Sequence, residues 1–182
     1  MARYSTVDKL TFADDTISAL GTGLSATTSN LAAMANSGTA GYFAGGYVSG
    51  NVSTVDKFAF SDDSRSTLGT GLSSAREGVR GMANSGTAGY FGGGITSSNV
   101  DTVDKFAFSD DSRSTLGTGL SAAIRDMGGM ADSGTAGYFG GGYSFTDAVD
   151  KFAFSDDSRS TLGTGLSAAT TRLAAFANSS GL

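Results

Sequence analysis

Adjacent carboxylates recur at Asp14-Asp15, Asp62-Asp63, Asp110-Asp111 and Asp156-Asp157. Such pairs could hold a hard cation such as calcium, but that takes three or more convergent oxygens, and the EF-hand spacing is absent. Asp and Ser are also the residues of turns between strands, and the pairs are read that way. Neighbouring carboxylates do not make an acid/base pair either, because glycosidase carboxyl groups sit about 5 to 9.5 Å apart across a cleft. The strings GTGLSA at Gly21 and Gly163 and GTGLSS at Gly69 fit the loose glycine pattern of a dinucleotide loop. That loop needs a strand before it, a helix after it and an acidic residue about 20 positions on, so the glycines are read as permitting tight strand exits. Asp8-Lys9, Asp56-Lys57, Asp104-Lys105 and Asp150-Lys151 are expected to pair with Arg65, Arg113 and Arg159 of neighbouring strands. Each exposed pair of that kind contributes only about 0 to 1 kcal/mol.

Histidine, cysteine, proline and tryptophan are absent from the 182 residues. Disulfides, thiolate nucleophiles, Cys/His zinc sites, Ser-His-Asp triads and imidazole acid/base chemistry are therefore excluded. The expectation is a protein that is not an enzyme, with no catalytic residue, no cofactor and no metal site. A formal net charge of -5 repels a phosphate backbone, so nucleic acid is a poor partner. Apolar residues fall in short runs far below the roughly 20 of a membrane helix, so no membrane span is expected. The opening MARYSTVDKL lacks the basic-then-apolar order of a signal peptide. Asn51-Val-Ser and Asn178-Ser-Ser match the glycosylation pattern.

These residues belong to repeats. VDKFAFSDDSRSTLGTGLS runs unchanged over 55–73, 103–121 and 149–167, and the diverged VDKLTFADDTISALGTGLS over 7–25, at offsets of 48, 48 and 46 residues. Between them stand MANSGTAGYFAGG from Met34, MANSGTAGYFGGG from Met82, MADSGTAGYFGGG from Met130 and the shortened FANSSGL from Phe176. Each period holds four short apolar stretches bounded by turn residues, the content of one propeller blade. In the second period strands are expected over 79–83, 88–93, 102–108 and 114–118, and Gly interrupts every candidate helix. The division is then strands three and four of a split blade over 1–25, opening with a strand over 7–12. Whole blades follow over 26–73, 74–121 and 122–167, and a terminal first strand within 168–182, over 173–178. Phe58, Phe60, Phe106, Phe108, Phe152 and Phe154, with Tyr90-Phe91 and Tyr138-Phe139, are expected to pack between blades. A β-solenoid or another stacked Gly-rich repeat is the competing architecture.

The order of apolar strand, Gly-containing turn, aromatic strand ending in paired glycines, variable loop, Val-x-x-Phe strand and Asp-containing turn resembles the Kelch-type β-propeller repeat over 25–167. Gly45-Gly46, Gly92-Gly93-Gly94 and Gly140-Gly141-Gly142 stand where that family has its double glycine. Phe58, Phe106 and Phe152 replace its usual Tyr, and Leu68, Leu116 and Leu162 its usual Trp. The resemblance implies an all-β propeller of four-stranded antiparallel blades. It also implies rings of more than four blades, so about four repeats point to a ring completed by oligomerisation. Two chains would close an eight-blade ring, or end-to-end contacts would continue as a filament. Near-identical, Cys-free tandem repeats resemble those of phage-like, bacterial, virion-surface or extracellular proteins, which implies such a location. The copper ligands of Kelch-fold oxidases are mainly His and Tyr, and His is absent here.

Strands alternate direction in a blade, which puts the constant NSGT and SDDS turns on one face and the variable segments on the other. The variable face carries the loops 47–54, 95–102 and 143–148 and the entries to each first strand. Candidate contacts there are Arg76, Glu77, Arg80, Arg125, Asp126 and Arg172 near the channel mouth, with Tyr47, Asn51, Asn99, Asp101, Tyr143 and Phe145 in the outer loops. Loops on a rigid scaffold are where binding resides, although exposed loops also drift without function. The expected function is a non-catalytic structural or adhesive assembly component that self-associates and binds a protein surface or glycan through this face. A carbohydrate-binding, lectin-like module and a designed repeat scaffold are the alternatives.

Overall fold

Val, Phe and Tyr in short runs, punctuated by Gly and by Asp-Ser turns, fold each period into one antiparallel meander. The computed structural model describes residues 3–143 and 145–175, and these contain strands and no helix. β1 (Asp8–Thr11) and β2 (Thr16–Ala19) pair as a two-stranded sheet. A four-stranded sheet follows from β3 (Ala32–Asn36), β4 (Ala40–Ala44), β5 (Val55–Ala59) and β6 (Arg65–Thr67). A second comprises β7 (Arg80–Asn84), β8 (Ala88–Gly92), β9 (Val103–Ala107) and β10 (Arg113–Thr115). The third is β11 (Gly128–Asp132), β12 (Ala136–Gly140), β13 (Val149–Ala153) and β14 (Arg159–Thr161).

Neighbouring strands in each sheet are consecutive in sequence and antiparallel, so a period closes its hydrogen bonds within itself, as a propeller-like blade does and a parallel solenoid coil does not. The strands end within two residues of expectation, apart from 114–118, which shortens and shifts to Arg113–Thr115. Residues 173–175 form no strand in this structure, and 176–178 of the expected terminal strand lie outside the described residues.

The core lies between sheets. In register, Met34 opposes Tyr42, Tyr42 opposes Lys57, and Lys57 opposes Ser66, a row repeated by Met82, Tyr90, Lys105 and Ser114. The row faces the following sheet. Tyr42 stacks on Phe108 and Tyr90 on Phe154, at centroid separations of 5.3 and 5.4 Å. Met34 lies over Gly89 and Met82 over Gly137, where a Cβ would overlap the methionine sulfur. Phe60 breaks the aromatic expectation: it is exposed, beside an apolar cavity of about 590 Å³ between β1 and the first four-stranded sheet.

Polar contacts repeat across the same joints. Lys9, Lys57 and Lys105 reach Asp63, Asp111 and Asp157 at 2.8, 2.7 and 2.7 Å. The Tyr42 and Tyr90 hydroxyls donate to the other oxygen of Asp111 and Asp157. The lysines therefore bridge sheets, while Arg65, Arg113 and Arg159 pair with Asp56, Asp104 and Asp150 of their own sheets. The carboxylate pairs divide the labour. Asp62, Asp110 and Asp156 each accept the N–H two residues on, as turn residues do. Their neighbours adopt left-handed φ of 56°, 57° and 59° and take the lysine of the preceding sheet. No group of three or more His, Cys, Asp or Glu suited to a metal occurs among the described residues.

Candidate functional site

β3, β7 and β11 are each entered through a residue of left-handed φ, Asn30, Gly78 and Asp126, at +55°, +66° and +57°, and Arg172 repeats the conformation at +57°. This conformation lets successive entries chain together. The N–H groups of Gly78, Asp126 and Arg172 donate to the carbonyls of Asn30, Gly78 and Asp126 at 3.0, 2.9 and 2.8 Å. All four residues line one cavity of about 190 Å³ with Glu77, Ile95 and Arg125. A mixed-charge mouth results, above a second cavity of about 340 Å³ lined by Ala32, Ala33, Arg80, Gly81, Gly129 and residues 173–175.

Most charges at the mouth are engaged. The Asn30 amide donates to Glu77 at 2.7 Å. Arg80 donates through Nε to the Met127 carbonyl at 2.7 Å and meets Asp126 at 3.4 Å. Burial pulls the Arg80 guanidinium below its ordinary value, with Asp126 opposing. Arg125 donates to Asn99 at 2.9 Å and lies 3.9 Å above the Tyr143 ring. Arg172 is exposed, held by its backbone bond to Asp126.

The outer loops divide similarly. Asn51 donates to the carbonyls of Ile95 and Thr96 in the next loop, so it fastens two loops together. Tyr47 is half-buried beneath Arg3. Asp101 is exposed, as are Tyr143 and Phe145. Of the candidate residues, Asp101, Tyr143, Phe145 and Arg172 are the members open to solvent.

Arg76 departs from its expected surface position. Its side chain is 0% exposed, and its guanidinium meets Asp104 at 2.9 Å, the Ser73 and Ser74 hydroxyls at 3.2 and 3.3 Å, and the Phe91 carbonyl at 3.4 Å. Burial pulls the Arg76 guanidinium below its ordinary value, with Asp104 opposing. The equivalent residues before the other two four-stranded sheets are Thr28 and Ile124, with Thr170 after the last, an inward position whose uncharged occupants were the sequence signal. At those positions clefts of about 360 and 260 Å³ remain open, floored by Asp56 and Asp150. Burial pushes the Asp56 carboxyl up, but hydrogen bonds from Thr67 and Ser25 and the charge of Arg65 outweigh it and hold it below its ordinary value.

No family model and no curated protein matches the chain. Solved structures do, 128 chains in all, so the architecture is shared by other proteins of known structure. The structure titled "Structure of YjhT" aligns with a TM-score of 0.72 at 16% identity over 90% of this chain. The chain spans only 60% of that structure's length. At this identity the likeness shows the fold alone, an all-β, propeller-like arrangement of four-stranded sheets.

Proposed function

We propose that the chain is a non-catalytic structural or adhesive repeat protein of the Kelch-like propeller type, whose copies join end to end and display the variable-loop face. The observation that carries this reading is that each internal joint repeats one lysine–aspartate contact, whose two halves stand unused on the outermost sheets among the described residues. Lys9, Lys57 and Lys105, with Tyr42 and Tyr90 of the four-stranded sheets, bind an aspartate of the next sheet, and the progression continues outward to Lys151 and Tyr138, which have no side-chain partner among the described residues. At the opposite end Asp15 shares the left-handed turn position of Asp63, Asp111 and Asp157. Ser25, Ser73 and Ser121 donate to Asp56, Asp104 and Asp150 of the following sheet, and the same progression leads from Ser167 to Asp8.

Apolar surface supports the same joint. Leu10, Phe12 and Ile17 on the β1–β2 sheet are 46%, 87% and 72% exposed, and Met130 and Leu162 are uncovered on the third four-stranded sheet. In a second copy seated in the register of the internal joints, Lys151 and Tyr138 meet Asp15, Ser167 meets Asp8, and Phe12 stacks on Tyr138 as Phe108 does on Tyr42. Heterologous contacts of this kind close a ring or continue as a filament.

Charge reversal tests the reading by sedimentation velocity. Asp15→Lys and Lys151→Asp each place like charges at the joint and are expected to stay monomeric alone. Mixed in equal amounts, they place an opposite pair at every joint of an array in which the two variants alternate, and are expected to assemble. A wild-type chain that remains monomeric, or single variants that assemble as wild type does, rejects the end-to-end reading.

A lectin-like role of the variable face is the second reading. It is favoured by Tyr143, whose exposed ring is backed by Arg125 and offers a flat platform for a sugar. Binding on a glycan array that is lost on Tyr143→Ala would promote it.

A further inference from the structure

In one blade Arg76 occupies a pocket that stands open in the blade before it. Its partners are the Ser73 hydroxyl, the Asp104 carboxylate and the Phe91 carbonyl. The equivalent residues Ser25, Asp56 and Phe43 all line the cleft of about 360 Å³ beside Thr28. The receptor for a guanidinium is thus repeated without its occupant. Of the groups that meet Arg76, only Ser74 is exchanged for one that cannot accept, Ala26. In the third blade Ile124 fills more of the space, and the cleft shrinks to about 260 Å³.

We propose that the cleft over Asp56 binds a guanidinium group, delivered as an arginine side chain of a partner protein. Asp56 is 4% exposed and is held rigid by the Ser25 N–H and hydroxyl at 2.7 and 2.8 Å and by Thr67 at 2.6 Å. Asp104 carries two guanidinium partners, Arg76 and Arg113, whereas among the described residues Asp56 carries only Arg65, at 3.5 Å. A second cation at Asp56 therefore reproduces an arrangement the fold already tolerates. Leu24, Leu31, Val48 and Val52 line the way in and suit the methylene stem of an arginine rather than a bare ion. The cleft opens among the variable loops, where 48–52 form part of its wall, so a side chain projecting from a docked surface can reach it.

Isothermal titration with N-acetyl-arginine amide tests the site, with methylguanidinium as the arm that lacks the stem. Wild type is expected to bind one equivalent saturably, with the amide bound more tightly than methylguanidinium. Thr28→Arg supplies the occupant from within, as Arg76 does, and is expected to weaken the amide about tenfold or more while keeping the native melting temperature. Asp56→Asn is expected to weaken it by a similar factor. No saturable binding by wild type, or undiminished binding by Thr28→Arg, overturns the proposal, and methylguanidinium binding as tightly as the amide overturns the arginine side chain as its occupant. The readout is independent of sedimentation, so this site and the end-to-end joint fail separately.

Discussion

The interior of the middle blade contains an ion pair with both side chains fully buried, Arg76 with Asp104. Removing one partner from such a pair leaves an uncompensated charge, whereas replacing both by groups of similar shape is far less costly. Asp104→Asn is therefore expected to destabilise the fold by about 3 to 5 kcal/mol, and the double variant with Arg76→Met to recover most of that loss, as read by urea denaturation. Acid acts on the same group. Burial raises the Asp104 carboxyl, but the Ser73 N–H, the Arg76 charge and Thr115 outweigh it and hold it below its ordinary value of 3.8. A carboxyl lowered by folding contributes its full stabilisation above the unfolded value and loses it as pH falls through the folded one. The wild-type melting temperature should thus drop as pH falls below about 3.8, and drop less steeply in the double variant.

At the scale of the element, close approach between blades constrains particular glycines. Gly93 has φ of +63°, and a Cβ there would overlap the Ile124 carbonyl oxygen of the next blade. Gly86 has φ of +79° with open space around it. Gly86→Ala should cost only the left-handed backbone penalty of about 1 to 2 kcal/mol, and Gly93→Ala distinctly more, in denaturant titrations of the two variants. Strands of this kind are legible in the sequence because Val, Phe and Tyr alternate with residues that terminate pairing, so the meander of each period follows from local chemistry. Contacts between periods are not local. Lys57 and Arg65 look equally able to pair with an aspartate, and only the placement of one sheet against the next sends the lysine outward to Asp111 and keeps the arginine on Asp56. Arg76 was misplaced for the same reason: a charged residue in a variable loop reads as exposed until Asp104 of its own sheet is seen beneath it. The variable face was legible as a set of loops, but which of its side chains remain free was decided by bonds such as Asn51 to Ile95 and Arg125 to Asn99.

For the whole molecule, the internal joints are a guide to the proposed end-to-end joint. The two joints between four-stranded sheets each combine a carboxylate receiving lysine with a stacked tyrosine–phenylalanine pair, and the joint from the β1–β2 sheet keeps the lysine contact with Phe60 left uncovered. The β1–β2 sheet differs from the later copies at Ile17 and Ala19, where they have Arg and Thr, so its open face is more apolar than theirs. Phe12, in the turn after β1 at the rim of the cavity toward the first four-stranded sheet, is 87% exposed and therefore contributes little to the stability of a single chain. Covering it in an end-to-end joint removes a phenyl ring from water, worth about 1.5 to 3 kcal/mol. Phe12→Ser should accordingly leave the melting temperature of the dilute chain unchanged while raising the concentration at which copies associate by about 10 to 100-fold in sedimentation equilibrium. A variant that melts lower but associates as before would mean that Phe12 packs within its own chain, and the joint would then have to form through surfaces other than the β1–β2 sheet.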